Sequence, residues 1–140
     1  MKDDKIFIDT NVLVYAFDIS AGIKHKKAKE IVEHCWRLEN GIISSQVLEE
    51  FFVCLNKKIP FPIDSIIVWQ IIKDFLKWKT VAVDGDIILE SINIHIKHKF
   101  SFWDSLIIAS AVSGSANMIF SEDLSDNQTI EGVVIKNPFL

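Results

Sequence analysis

Lys5 to Asp18 reads KIFIDTNVLVYAFD, and its first half decides the fold. Ile6-Phe7-Ile8 is an apolar run with two β-branched members, flanked by Lys5 and Asp9, and it is too short to be a helix. It reads as a buried strand. Thr10 and Asn11 then turn the chain, and apolar residues continue as a helical turn through Phe17. A strand that ends in an acid and runs directly into a helix is the first half of a β-α unit. If the unit recurs, the sheet is parallel, helices cover both faces, and the carboxyl ends of neighbouring strands open into one crevice.

The unit does recur along the chain. Lys24 to Leu38 carries Ala28, Ile31, Val32, Cys35, Trp36 and Leu38 at helical spacing behind a basic start. Asn40-Gly41 closes that helix, Ile42-Ile43 forms a second strand, and Ser44 or Ser45 caps a helix running through Leu55. Pro60 and Pro62 break the chain, after which Asp64 caps an amphipathic helix to about Leu76. Thr80 to Val83 is a third strand. Asp84 starts a helix ending near Lys97-His98-Lys99, where positive charge suits the helix dipole. Ser101 caps a helix from Trp103 to Ser113 that is apolar on nearly every side and therefore central. Met118 to Phe120 and Val133 to Lys136 complete the strands. The expected architecture is a three-layer α/β/α domain with a central, mostly parallel sheet of four to five strands, and residues 1–140 are expected to form one domain.

Composition narrows the function classes. A chain of 140 residues has the length of one ordinary domain, and nearly half of its residues are apolar. That leaves room for a buried contact between copies. The apolar runs near Ile66 to Leu76 and Leu106 to Val112 are interrupted by charge or fall short of the ~20 residues a bilayer span needs. Met1 to Lys5 is charged and lacks the apolar stretch of a signal peptide, so a soluble, cytoplasmic protein is expected. Cys35 and Cys54 lie in amphipathic segments without a Cys/His ligand pattern and are expected to be buried, reduced thiols. The net charge of -4 gives no general attraction for polyanions, which would have to be held by local basic patches and by metal.

Four acids stand at strand ends or in first helical turns: Asp9, Glu50, Asp104 and Asp123. Each has a structural explanation of its own. Asp9 can cap the helix at Thr10, and Ser101 and Asp104 stand in capping-box spacing. In the Glu49-Glu50 doublet, Val47, Leu48, Phe51, Phe52, Cys54 and Leu55 define the buried arc at about 100° per residue. Glu49 projects nearly opposite that arc and Glu50 lies at its border, so Glu50 is the better ligand. In the loop Ser121 to Asp126, Asp123 is the fourth candidate and Asp126 an accessory. Two carboxylates about 4 Å apart repel by roughly 4 kcal/mol at an effective dielectric near 20, so converging acids must take up a proton or a cation. An oxygen-only set selects one or two Mg²⁺ or Mn²⁺ ions.

FIDTNVLVYAFD, ISSQVLEEFF, SFWDSLIIASA and IFSEDLSDNQTIEGVVIKNPF, taken in order, resemble the PIN-domain family, particularly the VapC-type toxins of toxin-antitoxin modules. The resemblance implies a metal-dependent endoribonuclease whose acids are Asp9, Glu50, Asp104 and Asp123. It implies that Asn11 and Ser121 orient the site, that Asp126 assists, and that hydrolysis leaves a 5′-phosphate. The implied partners are an RNA substrate, a cognate antitoxin and a second copy of the chain. Lys97, His98 and Lys99 are candidate RNA contacts, although they also suit a helix C-terminus. Trp103 suits either a base stack or the core. Lys24, Lys26, Lys27 and Lys29 read as a solvated face. The four histidines show no general-base or metal spacing. Two other readings are a non-catalytic RNA- or protein-binding module that keeps the fold, and a phosphohydrolase using Asp9 as nucleophile.

Overall fold

Strand β1 (Ile6–Ile8) is buried along its whole length because it has a neighbour on either side, parallel β2 (Gly41–Ser44) and parallel β4 (Met118–Phe120). The computed structural model describes residues 4–140. Met1 to Asp3, on which part of the signal-peptide expectation rests, lie outside the described residues. The sheet has six strands in the order β3-β2-β1-β4-β6-β5, with β3 (Lys79–Val81), β5 (Gln128–Ile130) and β6 (Val133–Lys136) completing it. All neighbours run parallel except β5 and β6.

The sixth strand exceeds the expected four to five. Its residues, Gln128-Thr129-Ile130, are mostly exposed and carry no apolar run, so their strand character comes from pairing with β6 alone. The two-residue connection Glu131-Gly132 has positive φ at both positions (50° and 82°), the backbone of a type I′ hairpin turn.

Helix α1 (Thr10–Tyr15) follows β1, α2 (Ile23–Leu38) leads back to β2, and α3 (Ser45–Val53) and α4 (Ser65–Phe75) lie between β2 and β3. Helices α5 (Gly85–His98) and α6 (Phe102–Ser113) pack on each other, and α6 also lies against β2, β3, β4 and β6. Every α6 residue from Ser105 to Ala111 is buried, which makes it the central helix its composition implied. Among the described residues, no helix is long and apolar enough to cross a membrane.

The caps follow the sequence with two exceptions. Ser44, Asp84 and Ser101 each accept a hydrogen bond from a backbone N–H in the first turn of their helix. Asp64 stands before α4, but its side chain makes no capping bond. Asn40-Gly41 does not terminate α2. Glu39 takes the left-handed conformation there, while Asn40 is buried and Gly41 opens β2. Gly41 serves close approach instead, since a Cβ at that position would lie 2.5 Å from the Trp78 ring.

Helix α3 continues into a π-helical turn, Cys54–Lys58, in which the Ile59 N–H reaches back five residues to the Cys54 carbonyl at 3.1 Å. Beneath it, Phe51 is fully buried and meets Phe17 and Phe75 edge-on, at centroid distances of 5.5 and 6.0 Å. Phe75 in turn packs against Trp78. This aromatic cluster fixes the rotation of α3, and with it the direction of the acids on the helix's upper edge.

Candidate active site

Strand order reverses at β1, whose neighbours are β2 on one side and β4 on the other, and a doubly wound sheet opens its crevice at such a place. Asp9 leaves β1 there and Ser121 leaves β4. The Asp9 N–H donates to the Phe120 carbonyl at 3.0 Å, so the two strand ends are tied together.

Asp9 is held at both oxygens. Its Oδ1 accepts from the Thr10 N–H at 2.7 Å, and its Oδ2 accepts from the hydroxyl of fully buried Ser121 at 2.7 Å. Burial pushes the Asp9 carboxyl up to about 6; the two hydrogen bonds oppose that rise, and the charges of Glu50 and Asp123 add to it. Near neutral pH this acid carries its charge against a local deficit of positive charge.

Glu50 reaches the same place from α3, where its Oε1 accepts from the Thr10 hydroxyl at 2.9 Å. Glu49 also borders the cavity, at its exposed rim. Asp123 enters from the loop after β4, and its Oδ2 accepts from the Asn11 side-chain amide at 2.9 Å. The other end of that amide, Oδ1, accepts weakly from the Glu122 N–H at 3.4 Å. Asp104 stands in the first turn of α6, where its own N–H donates to the Ser101 hydroxyl at 3.1 Å. Asp9, Glu50, Asp104 and Asp123 all line one cavity of about 660 Å³.

Three expected residues lie elsewhere, and a fourth makes a different contact. Lys97 and His98 turn to Glu131 in the β5-β6 turn, at 3.7 and 3.3 Å. Lys99 takes the left-handed position that ends α5, and none of the three lines the cavity. Asp126 accepts from the Asn137 N–H at 2.7 Å, which braces the C-terminal segment, and it too stays outside the cavity. Among the cysteines, Cys35 is buried as expected, but Cys54 is half-buried and borders the cavity. Trp103 belongs to the cavity wall and not to the core, being 64% exposed.

Other lining residues were not singled out from the sequence. Tyr15, Gln46 and Lys58 border the cavity; the first two stand in quoted motifs without being singled out there, and Lys58 stands in none. A helical wheel could have found Gln46, which sits four residues before Glu50 and therefore on the same face of α3. Its Oε1 is buried and has no hydrogen-bond donor among the described residues. Tyr15 and Lys24 clasp Glu122: the Tyr15 hydroxyl donates to Oε1 at 2.7 Å, and the Lys24 ammonium pairs with Oε2. The Lys24 ammonium also lies 5.2 Å from the Tyr15 ring centroid.

The donor chemistry suits a hard divalent cation. The four acids offer oxygen only, Asp9 is short of positive charge, and Gln46 adds an acceptor in need of a donor such as cation-bound water. Among the described residues, however, no three acidic, His or Cys side chains close around a single point. Thr10, Asn11 and Ser121 hold the carboxylates individually.

Comparison with known proteins bears on the family and the fold. The family model described as PIN domain matches residues 6–125. No curated protein matches the chain. A toxin-antitoxin complex from Klebsiella pneumoniae superposes with a TM-score of 0.70 at 20% identity, covering 95% of this chain and 97% of that one. VapC20 of Mycobacterium tuberculosis, a toxin that cleaves the sarcin-ricin loop, superposes with a TM-score of 0.63 at 18% identity, covering 84% and 91%. DNA-bound VapBC from Salmonella typhimurium gives 0.65 at 15% identity, covering 94% and 96%. At these identities the likeness is one of fold.

Proposed function

Because this chain belongs to the PIN-domain family, we propose that residues 1–140 form one nuclease domain that hydrolyses RNA phosphodiester bonds internally, as the toxin of a toxin-antitoxin pair. The carrying observation is the meeting of Asp9, Glu50, Asp104 and Asp123 on one cavity at the switch point of the sheet. The toxin role draws support from the VapC and VapBC structures that share the fold.

Asp9, Asp104, Asp123 and Glu50 would hold one or two Mg²⁺ or Mn²⁺ ions, with Asp126 outside the set in this arrangement. When bound, such an ion supplies Lewis-acid neutralisation of the phosphoryl oxygens and makes water easier to deprotonate. Ser121 and the Thr10 N–H keep the Asp9 carboxylate in one orientation, and Asn11 does the same for Asp123. Thr10 holds Oε1 of Glu50, so Oε2 is the oxygen that Glu50 would offer to an ion. Water attacks phosphorus and gives up a proton to solvent, the bond to the 3′ oxygen breaks, that oxygen takes a proton from solvent and leaves as a hydroxyl, and the other fragment keeps a 5′-phosphate. A nucleophilic Asp9 fits the geometry poorly, since both of its oxygens already accept hydrogen bonds.

Two exposed apolar faces support the protein partners. Ile88, Leu89, Ile92 and Ile96 form a stripe on α5, while Ile66, Ile67 and Trp69 form another on α4. Faces of this kind mark protein contacts. One suits a second copy of the chain and the other a cognate antitoxin.

The test is to map RNA 5′ ends after inducing the wild type and Asp9→Asn. New 5′-phosphate ends in the wild type alone are expected, and equal cleavage by both proteins sinks the assignment. In vitro, cleavage should need Mg²⁺ or Mn²⁺ and should survive 2′-deoxy substitution at the scissile nucleotide. Loss of cleavage on that substitution would make the ribose hydroxyl the nucleophile.

A further inference from the structure

We propose that this cavity grips single-stranded RNA beside the acids, with Trp103 of α6 stacking on an unpaired nucleobase and Lys58 of the π-helical turn holding a backbone phosphate. The inference rests on the ribonuclease reading and adds how the substrate is held.

Trp103 is the conspicuous residue of α6. From Ser105 onward that helix is buried through Ala111, yet Trp103, one position before Asp104, is 64% exposed and lines the cavity. Phe102 braces its ring in a T-shaped contact at 5.1 Å and 79°. Such a contact covers at most one face of the indole and holds the ring still, so a base can lie against the remaining face without first ordering the side chain. Stacking of a base on an aromatic side chain contributes about 1–3 kcal/mol and accepts any base.

The π-helical turn that follows α3 supplies charge. The cavity is bordered by Asp9, Glu49, Glu50, Asp104 and Asp123, which together repel a phosphate chain. Lys58 is the basic side chain that borders the cavity among the described residues. It ends the π-helical turn Cys54–Lys58, whose extra residue per turn shifts the side chains that follow relative to a regular α3. The expected basic contacts, Lys97 and His98, are engaged with Glu131, which leaves this role to Lys58. A cavity of about 660 Å³ takes a ligand of nucleotide size, and a stacking platform needs a base already free of its duplex. Single-stranded segments and loops satisfy both conditions.

The experiment is fluorescence anisotropy with a labelled, unstructured RNA of about 12 nucleotides, in EDTA so that the strand stays intact. Trp103→Ala should weaken binding about 10- to 100-fold, while Trp103→Phe should stay within about threefold of wild type. An abasic nucleotide at one position should remove the difference between wild type and Trp103→Ala. Lys58→Gln should weaken binding of all sequences alike and lower the salt slope by about 1. Because Trp103 is exposed, the variants should keep wild-type circular dichroism. Equal RNA affinity of Trp103→Ala and wild type overturns the proposal, and so does unchanged RNA binding accompanied by loss of self-association, which would assign Trp103 to a protein contact. Failure of the wild type to bind RNA at all, with or without Mn²⁺, removes the ribonuclease reading as well.

Discussion

Asp123 is aimed into the cavity by its neighbours, because the loop that carries it has no regular structure of its own. Glu122, the residue before it, is clasped by Tyr15 and Lys24. Burial alone would raise the Glu122 pKa, but the bonds from Lys24 and Tyr15 turn the net shift downward. Glu122→Gln and Tyr15→Phe should therefore lower cleavage about 3- to 30-fold, chiefly in kcat, with the melting temperature nearly unchanged. A control substitution of exposed Glu33 should do neither. Asp9 gives a prediction of opposite character. Its carboxyl is raised to about 6 in the fold against an ordinary value of 3.8, so it favours the folded state below about pH 4 and loses that contribution as pH rises through 6. The metal-free protein should lose on the order of 2–3 kcal/mol of stability from this group between pH 4 and 7.5, and Asp9→Asn should flatten that part of the profile in denaturant titrations. Sequence reading carries some of this and misses the rest. Helical phase singled out Glu50 over Glu49, and Glu50 is the residue that meets Thr10. The clasp on Glu122 was invisible because Tyr15 and Lys24 lie about a hundred positions away, and the pairing of Lys97 and His98 with Glu131, whose separation from His98 is 33 positions, had no local signal either.

Helix ends carry the acids, so caps and helix rotation are part of the site. Ser101→Ala removes the hydroxyl that accepts from the Asp104 N–H and should cost about 1 kcal/mol, with a larger fall in activity than that loss of stability explains. Phe51→Ala should cost about 3–5 kcal/mol, because it opens the cluster shared with Phe17 and Phe75. Chemical denaturation and single-turnover cleavage measured together would separate the two effects. Elements with strong local signals were legible: the apolar run of β1, the uniformly apolar α6, the serine caps. The π-helical turn and β5 were not. A π turn differs from an α turn by one residue of hydrogen-bond register, which no pattern in Cys54 to Lys58 announces. Strand β5 has no apolar alternation and exists through its antiparallel partner. Gly41 was legible as a special position but for the wrong reason, since the Trp78 ring that demands it comes from a distant segment.

At the scale of the molecule, the unpartnered stripe on α5 should make the purified chain dimeric, and replacing both Leu89 and Ile92 with Lys should yield a monomer by light scattering. Cation binding should register in the same way across the whole fold. Mn²⁺ should raise the melting temperature by several degrees at pH 7.5, less at pH 5 where Asp9 holds its proton, and not in Asp9→Asn. The sheet order has one further consequence. The Asp9 side chain accepts from the Ser121 hydroxyl across 112 positions of chain, and the Asp9 N–H donates to the Phe120 carbonyl, so β4 must lie beside β1 for these contacts to exist. A ribosome that has released only the first four-fifths of the chain has made Asp9, Glu50 and Asp104 but not the strand that joins them to the last acid. On the proposed ribonuclease reading, the four acids can meet only once β4 has joined the sheet, so a partly synthesised copy lacks the complete set.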